Sequence, residues 1–228
     1  MSKVVIFGLE DFASLAHFYL KYDSSHEVVA FSVTEKYLPD EKSFEGLPII
    51  AFEEVKYKYP PEDFLFFAPM SHRNMNRLRQ EVYNKIKAKG YRCISYVSSK
   101  ATTFPEAVIG ENCFILEDNT IQPYTPIGNN VVMWSGNHIG HHGVIQDHVF
   151  FTSHVVLSGH CNVEPFCFFG VNSTIRDGLH IARGTLVAMS ACITRDTDPW
   201  GVYKGIPASK SKVLSKDLEK KKKNWIYI

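Results

Sequence analysis

Every sixth residue from Ile109 to Ile193 is apolar: Ile109, Ile115, Ile121, Ile127, Met133, Ile139, Ile145, Phe151, Leu157, Val163, Phe169, Ile175, Ile181, Val187 and Ile193. The register never slips, in a chain of which only 45% is hydrophobic. An α-helix repeats at about 3.6 residues and a strand at about 2, so a period of six fits neither as a simple amphipathic segment. It fits a parallel β-helix of hexapeptide repeats, in which each short rung sends one large apolar side chain into a shared core. A second position agrees. Four residues after each anchor the side chain is small or medium, as at Cys113, Asn119, Thr125, Val131, Asn137, Gly143, Val149, Val155, Cys161, Cys167, Ser173 and Ala191, with Leu179 the bulkiest exception. At three hexapeptides to a coil the run makes about five coils, stacked at roughly 4.8 Å each.

Ahead of the repeats the pattern changes. Residues 3–8 (KVVIFG) read as a buried strand. A helix follows with Phe12, Leu15, Ala16 and Tyr19 on one face, strands are expected at 26–33, 63–69 and 92–98, and 47–52 is short and apolar. A helix over 73–89 places Met75, Leu78, Val82 and Ile86 together and stops at Gly90. Strands alternating with helices predict a small parallel α/β unit, Rossmann-like in outline. The predicted organisation is therefore an α/β unit over 1–104, a β-helix over 105–196, and a loop with a short lysine-rich helix over 197–228. The first strand ends in the turn GLEDFA, which lacks the second and third glycines of a dinucleotide fingerprint. Glu10 and Asp11 would also repel a pyrophosphate, so no NAD or FAD is predicted. Asp11 is expected to cap the helix. Gly8 and Glu10 remain candidates for holding a sugar or base. His72, Arg73, Asn74, Asn76 and Arg77 are a candidate anion site at a helix start.

Charge and cysteine usage exclude several classes. The formal net charge is +1, which gives no electrostatic case for nucleic acid. No apolar run is long enough to span a bilayer and the first residues read as a strand, so a soluble cytoplasmic protein without membrane insertion is expected. The five cysteines are odd in number and contain no CxxC, which favours neither a disulfide framework nor a cysteine zinc site.

Seven of the ten histidines lie between 138 and 180. His142, His148, His154 and His160 each sit three residues after an anchor, where the chain turns a corner of the prism. His142 and His160 share a corner in neighbouring coils, while His148 and His154 occupy the other two. Side chains at corners point outward, so these four are expected to converge only across a subunit interface. The densest stretch is Asn137-His138-Ile139-Gly140-His141-His142, and Gly159 lies one coil beyond His141, leaving open space beside its ring. An imidazole there can take a proton from an attacking amine or hydroxyl.

Together the repeats, the Ile139-Gly140-His141-His142 segment and the Gly205-Ile206-Pro207-Ala208 tail resemble the hexapeptide-repeat acyltransferases. Among these the chain is most similar to the nucleotide-aminosugar N-acetyltransferases and sialic acid O-acetyltransferases. The resemblance implies a left-handed β-helix, a homotrimer, and transfer from acetyl-CoA, without a metal, to an amine or hydroxyl of a nucleotide-linked sugar for surface polysaccharide synthesis. His141 falls at the family's general base, and His142 replaces the acidic neighbour that orients it, with His138 or Asn137 as the alternative orienting residues. By the same likeness Ser158, Gly159, Ala188, Gly205, Pro207 and Lys210 line the coenzyme, and Gly8, Glu10, Asn137 and His138 face the acceptor. A backbone N–H, such as that of Gly159, would stabilise the oxyanion.

Two other readings fit parts of the pattern. One is a γ-carbonic-anhydrase-like zinc enzyme using a pair such as His138 and His142, against which stand the α/β unit and the tail. The other is a trimeric sugar- or CoA-binding protein without catalysis.

Overall fold

A computed structural model describes residues 2–218. The lysine run at 220–223, expected on a helix, lies outside the described residues; before it, Ser215–Asp217 forms one 3-10 turn.

The first unit is built on β1 (Lys3–Phe7), β2 (Glu27–Val33), β3 (Ser43–Phe44), β4 (Leu47–Ala51) and β5 (Phe64–Phe67). They form one sheet in the order β3-β4-β2-β1-β5, all parallel except the β3–β4 hairpin. Helix α1 (Asp11–Asp23) joins β1 to β2, the short α2 (Val55–Lys58) joins β4 to β5, and α3 (Arg77–Ala88) follows β5. Val4, Val5 and Ile6 are buried, as a parallel strand covered on both faces requires.

Two local expectations change. Asp11 is the first residue of α1; the capping position belongs to Glu10, whose side chain makes no capping hydrogen bond. The helix expected over 73–89 starts only at Arg77, because Asn74, Met75 and Asn76 all have positive φ (53°, 49° and 63°). Asparagine tolerates that conformation, and the turn it makes aims Met75 and Asn76 into the protein, where both are buried.

The repeats form a prism of two-residue rungs. Parallel pairs such as Phe150–Phe168 and His138–Val156 place residues of successive coils over one another. All the anchors except Ile109 are buried, and so are the small positions from Cys113 to Ala191. Corner residues adopt left-handed backbone, including His142 (φ 54°), His148 (64°), His154 (60°) and His160 (58°). Coil pairing starts ahead of residue 105: Tyr96–Val97 pairs with Phe114–Ile115, and Thr102 bridges Thr120. Cys93, just before, still bridges Phe66 of the first sheet. The stretch expected as a last strand of the α/β unit thus leaves that sheet and becomes the first rung of the prism.

In each rung the residue before the anchor faces outward. On one face these are Thr120, His138, Val156, Thr174 and Cys192; on a second, Val144, Asn162 and His180; on the third, Phe114, Val132, Phe150, Phe168 and Leu186. The third row is apolar and buried, because the α/β unit covers it. Phe12 of α1 meets Trp134 edge-on at 5.5 Å, Phe67 meets Phe114 at 5.5 Å, and His72 lies 4.8 Å from Phe168. Among the described residues no helix is long and apolar enough to cross a membrane.

Candidate active site

The corner between the first two faces gathers the histidines singled out in the sequence. Its column runs Tyr124, His142, His160, Gly178 through successive coils. Tyr124 and His142 rings lie 4.6 Å apart, and His142 stacks on His160 at 5.4 Å and 20°. His141 stands beside the column, 5.1 Å from each of the two histidine rings and nearly perpendicular to both. All three histidines are exposed. They converge within one chain: His142 and His160 share this corner as expected and His141 joins them, while His148 lies against Asn130 and His154 beside Gly136, so the four corner histidines do not gather in one cluster. Residues 141 and 142 both lie at the corner, so two rings from one coil meet a third from the next.

His141 is fixed at several points. Its backbone N–H donates to Gln122 Oε1 (3.1 Å), its carbonyl accepts from the His160 N–H (2.8 Å), and its Nδ1 lies 3.1 Å from His142 Nδ1. The coil above is open at Gly159: a Cβ there would lie 3.0 Å from His141 Cε1. Gly140 beneath is tighter still, since a Cβ there would run into the Gly159 nitrogen. Glycine at both places lets the coils close while the imidazole stays uncovered.

The other candidates fall in different places. Ser158 and Gly159 lie on the coil above His141, both half-buried. Ala188 is buried at the end of a third-face rung, where its N–H donates to the Tyr203 carbonyl. Within one chain it does not share the His141 corner. Gly205 and Pro207 belong to a loop folded back on the last rung of the first face, where Cys192 donates to the Gly205 carbonyl and accepts from the Ala208 N–H. Lys210 pairs with Asp198 at 2.6 Å in the open.

His138 points outward on the first face. Asn137 does not reach a substrate. It is 1% exposed, donates to Asn119 Oδ1 (2.8 Å) and to the Trp134 carbonyl, and accepts from the Val155 N–H (2.8 Å). The ring that meets His141 Nδ1 is that of His142, in place of Asn137 or His138.

Gly8 and Glu10 line a separate crevice of about 390 Å3 at the carboxyl ends of β1, β2 and β5, together with Phe12, Thr34, Tyr37 and Arg73. Arg73 and Glu10 face each other across it at 3.4 Å, both well exposed. The expected helix-start anion site is dispersed. Arg77 donates to Asn74 Oδ1 and lies over the Trp200 ring, while Arg79 is buried and donates to prism carbonyls. Burial lowers the His72 imidazole to about 4, with Arg79 and Arg73 adding to the effect.

No protein-family model matches the chain. Over 107 residues it is 26% identical to an acyl-[acyl-carrier-protein]–UDP-N-acetylglucosamine O-acyltransferase of Sinorhizobium fredii, which is 44% of this chain and 40% of that one. A Helicobacter pylori protein of the same description is 28% identical over 109 residues. The chain thus spans about two-fifths of the length of the curated relatives it matches. Among solved structures, a perosamine N-acetyltransferase from Caulobacter crescentus, in complex with CoA and GDP-perosamine, superposes with a TM-score of 0.81 at 19% identity, covering 93% of this chain and 98% of that one. The acetyltransferase domain of PglB from Neisseria gonorrhoeae gives 0.80 at 18% identity, covering 92% and 100%. The same domain has been solved with acetyl coenzyme A. The resemblance to hexapeptide-repeat sugar acetyltransferases holds at the level of the fold.

Proposed function

We propose that the protein is an acetyltransferase that moves an acetyl group from acetyl-CoA to an amine or hydroxyl of a nucleotide-linked sugar. The observation that carries this is the exposed His141 imidazole, hydrogen-bonded through Nδ1 to His142 and left uncovered by Gly159. With Nδ1–H donated to His142, the His141 Nε2 lone pair is the free base. The acceptor nitrogen or oxygen attacks the thioester carbonyl while Nε2 takes its proton; the tetrahedral intermediate collapses with cleavage of the C–S bond. The coenzyme leaves as thiolate and is reprotonated, which returns His141 to its starting state. No covalent enzyme intermediate is needed, and a backbone N–H such as that of Gly159 is the candidate oxyanion donor.

The α/β crevice, lined by Gly8 and Glu10, suits the base or sugar of the acceptor rather than its phosphates. It opens at the carboxyl ends of parallel strands where the order reverses about β1, the usual place for a ligand in such sheets. The Caulobacter neighbour in complex with CoA and GDP-perosamine supports the same pairing of donor and acceptor. The parallel sheet with helices between its strands supports a Rossmann-like description of the first unit, and we take the prism to be left-handed.

Ser158, Gly159, Gly205, Pro207 and Lys210 are the proposed coenzyme contacts. Ala188 lies away from His141 in the same chain, so it can contribute only from a neighbouring subunit. This fits the proposed homotrimer with coenzyme grooves between protomers. Five unpaired cysteines and the use of acetyl-CoA favour the cytoplasm, and surface polysaccharide synthesis is the proposed setting.

The test is calorimetric titration with acetyl-CoA, followed by thiol-release assays on nucleotide-linked amino sugars. Binding near one coenzyme per chain with turnover is expected. No binding at millimolar coenzyme would overturn the reading, and binding without turnover of any acceptor would favour a sugar- or CoA-binding protein instead.

A further inference from the structure

We propose that His141, His142 and His160 form a binding site for a divalent transition-metal ion of the zinc class inside a single chain. On the transferase reading above, occupancy of this site blocks acetyl transfer. Each imidazole offers one nitrogen, and the three lie within 4.8 Å of one another. His141 Nδ1 and His142 Nδ1 are already 3.1 Å apart. Tetrahedral zinc with Zn–N of about 2.0–2.1 Å holds its ligand nitrogens roughly 3.3–3.4 Å apart. Two nitrogens therefore stand near the required spacing, and the third needs only a swing of one exposed ring.

The scaffold beneath them is stiff. His160 donates its backbone N–H to the His141 carbonyl, and Val144 donates to the Cys161 carbonyl, so rungs on both sides of the corner fix the distance between the two coils. The donor set is nitrogen alone. It selects zinc, nickel, cobalt or copper over magnesium and calcium, which take oxygen. Exposure leaves the fourth position to water, so the site is open and exchangeable. This is not a cofactor site: a metal that takes a lone pair from His141 removes the base that the proposed transfer needs.

The probe is Co2+ added to tag-free, chelator-stripped protein and followed by visible absorption. Tetrahedral d–d bands are expected, saturating at one ion per chain and displaced by Zn2+. His160→Asn keeps a residue suited to the left-handed corner, since Asn112, Asn130 and Asn172 hold the same conformation. It should weaken Co2+ binding at least tenfold. His138→Ala, outside the triangle, should not change it. Equal affinity in the His160→Asn protein, or saturation at one ion per three chains, would overturn the proposal. In the acetyl-transfer assay Zn2+ should inhibit the parent protein, and tenfold more should be needed for His160→Asn. Because Co2+ spectra need no turnover, a protein that binds cobalt without transferring acetyl refutes the transferase reading alone; one that transfers acetyl without binding cobalt refutes the metal site alone.

Discussion

Two neutral imidazoles joined through their Nδ1 atoms hold one hydrogen between them, so one ring must donate and the other accept. If His141 donates, its Nε2 is a base and His142 carries its own hydrogen on Nε2. If the roles reverse, His141 Nε2 is protonated and cannot accept from a substrate. Contact with the tilted Tyr124 ring on one side and stacking on His160 on the other hold the His142 ring plane and hence the direction of its Nδ1 lone pair. On the proposed mechanism, His141→Ala should lower kcat by about 10²–10⁴ with little change in acetyl-CoA affinity, the range usual for loss of a general base. Wild-type turnover in that variant would remove His141 from the chemistry. His142→Asn keeps the left-handed corner but offers an amide in place of the ring, so kcat should fall with KM for acetyl-CoA held. A fall confined to KM would make His142 a binding residue instead. The pairing was legible in sequence only as adjacency. Two neighbouring side chains on a strand face apart; only the corner geometry turns both rings to one side.

At the scale of the rung, the period of six carried nearly everything. Every anchor except Ile109 is buried, and the small positions with them. Asn137 shows where residue type misleads. The family likeness suggested a sugar contact, yet the repeat already put it at the small inward position, and position decides. Inside, its amide joins Asn119, the Trp134 carbonyl and the Val155 N–H. Asn137→Ala should therefore cost stability, on the order of 1–3 kcal/mol from buried groups left without partners, read as a lower midpoint in urea. His138→Ala, one residue on but facing outward, should leave that midpoint nearly unchanged. If the two variants melt together, the interior assignment of Asn137 is wrong. The start of the prism was less legible. Residues 92–98 have the composition of a buried strand in either sheet, and it is pairing of Tyr96 with Phe114, a long-range contact, that gives their end to the prism.

At the scale of the molecule, the α/β unit is welded to the prism by a buried polar seam that the sequence suggested only as a run of arginines and asparagines. Arg79, fully buried, donates to the Asn130, His148 and Val149 carbonyls and to Asn76 Oδ1, and Asn76 donates to the Phe166 and Cys167 carbonyls. His148 sits in this seam at the corner facing α3. Its Nδ1 meets the Asn130 amide at 3.0 Å, and its ring stacks on Phe166 and lies 6.1 Å from Tyr83. Burial holds its imidazole down at about 4; Arg79 and Arg183 act in the same direction and Asp147 against it. His72, across the same interface, is lowered to about 4 in the same way. In the unfolded chain both titrate near 6.5. Above that pH neither state binds the protons and the seam has its full stability. As pH falls from about 6.5 towards 4 the unfolded chain takes up protons that the folded one refuses, so stability declines; below 4 the folded state binds them too and the slope ends. The urea midpoint should accordingly drop between pH 7.5 and pH 4.5. His148→Asn tests the cause, because asparagine extends the existing Asn112–Asn130 ladder along that corner and suits its left-handed backbone. That variant should show a shallower decline over the same range, with His72 left to supply the remainder. An unchanged slope would mean that the seam opens without protonating His148, and that the acid sensitivity of the two units' contact lies elsewhere.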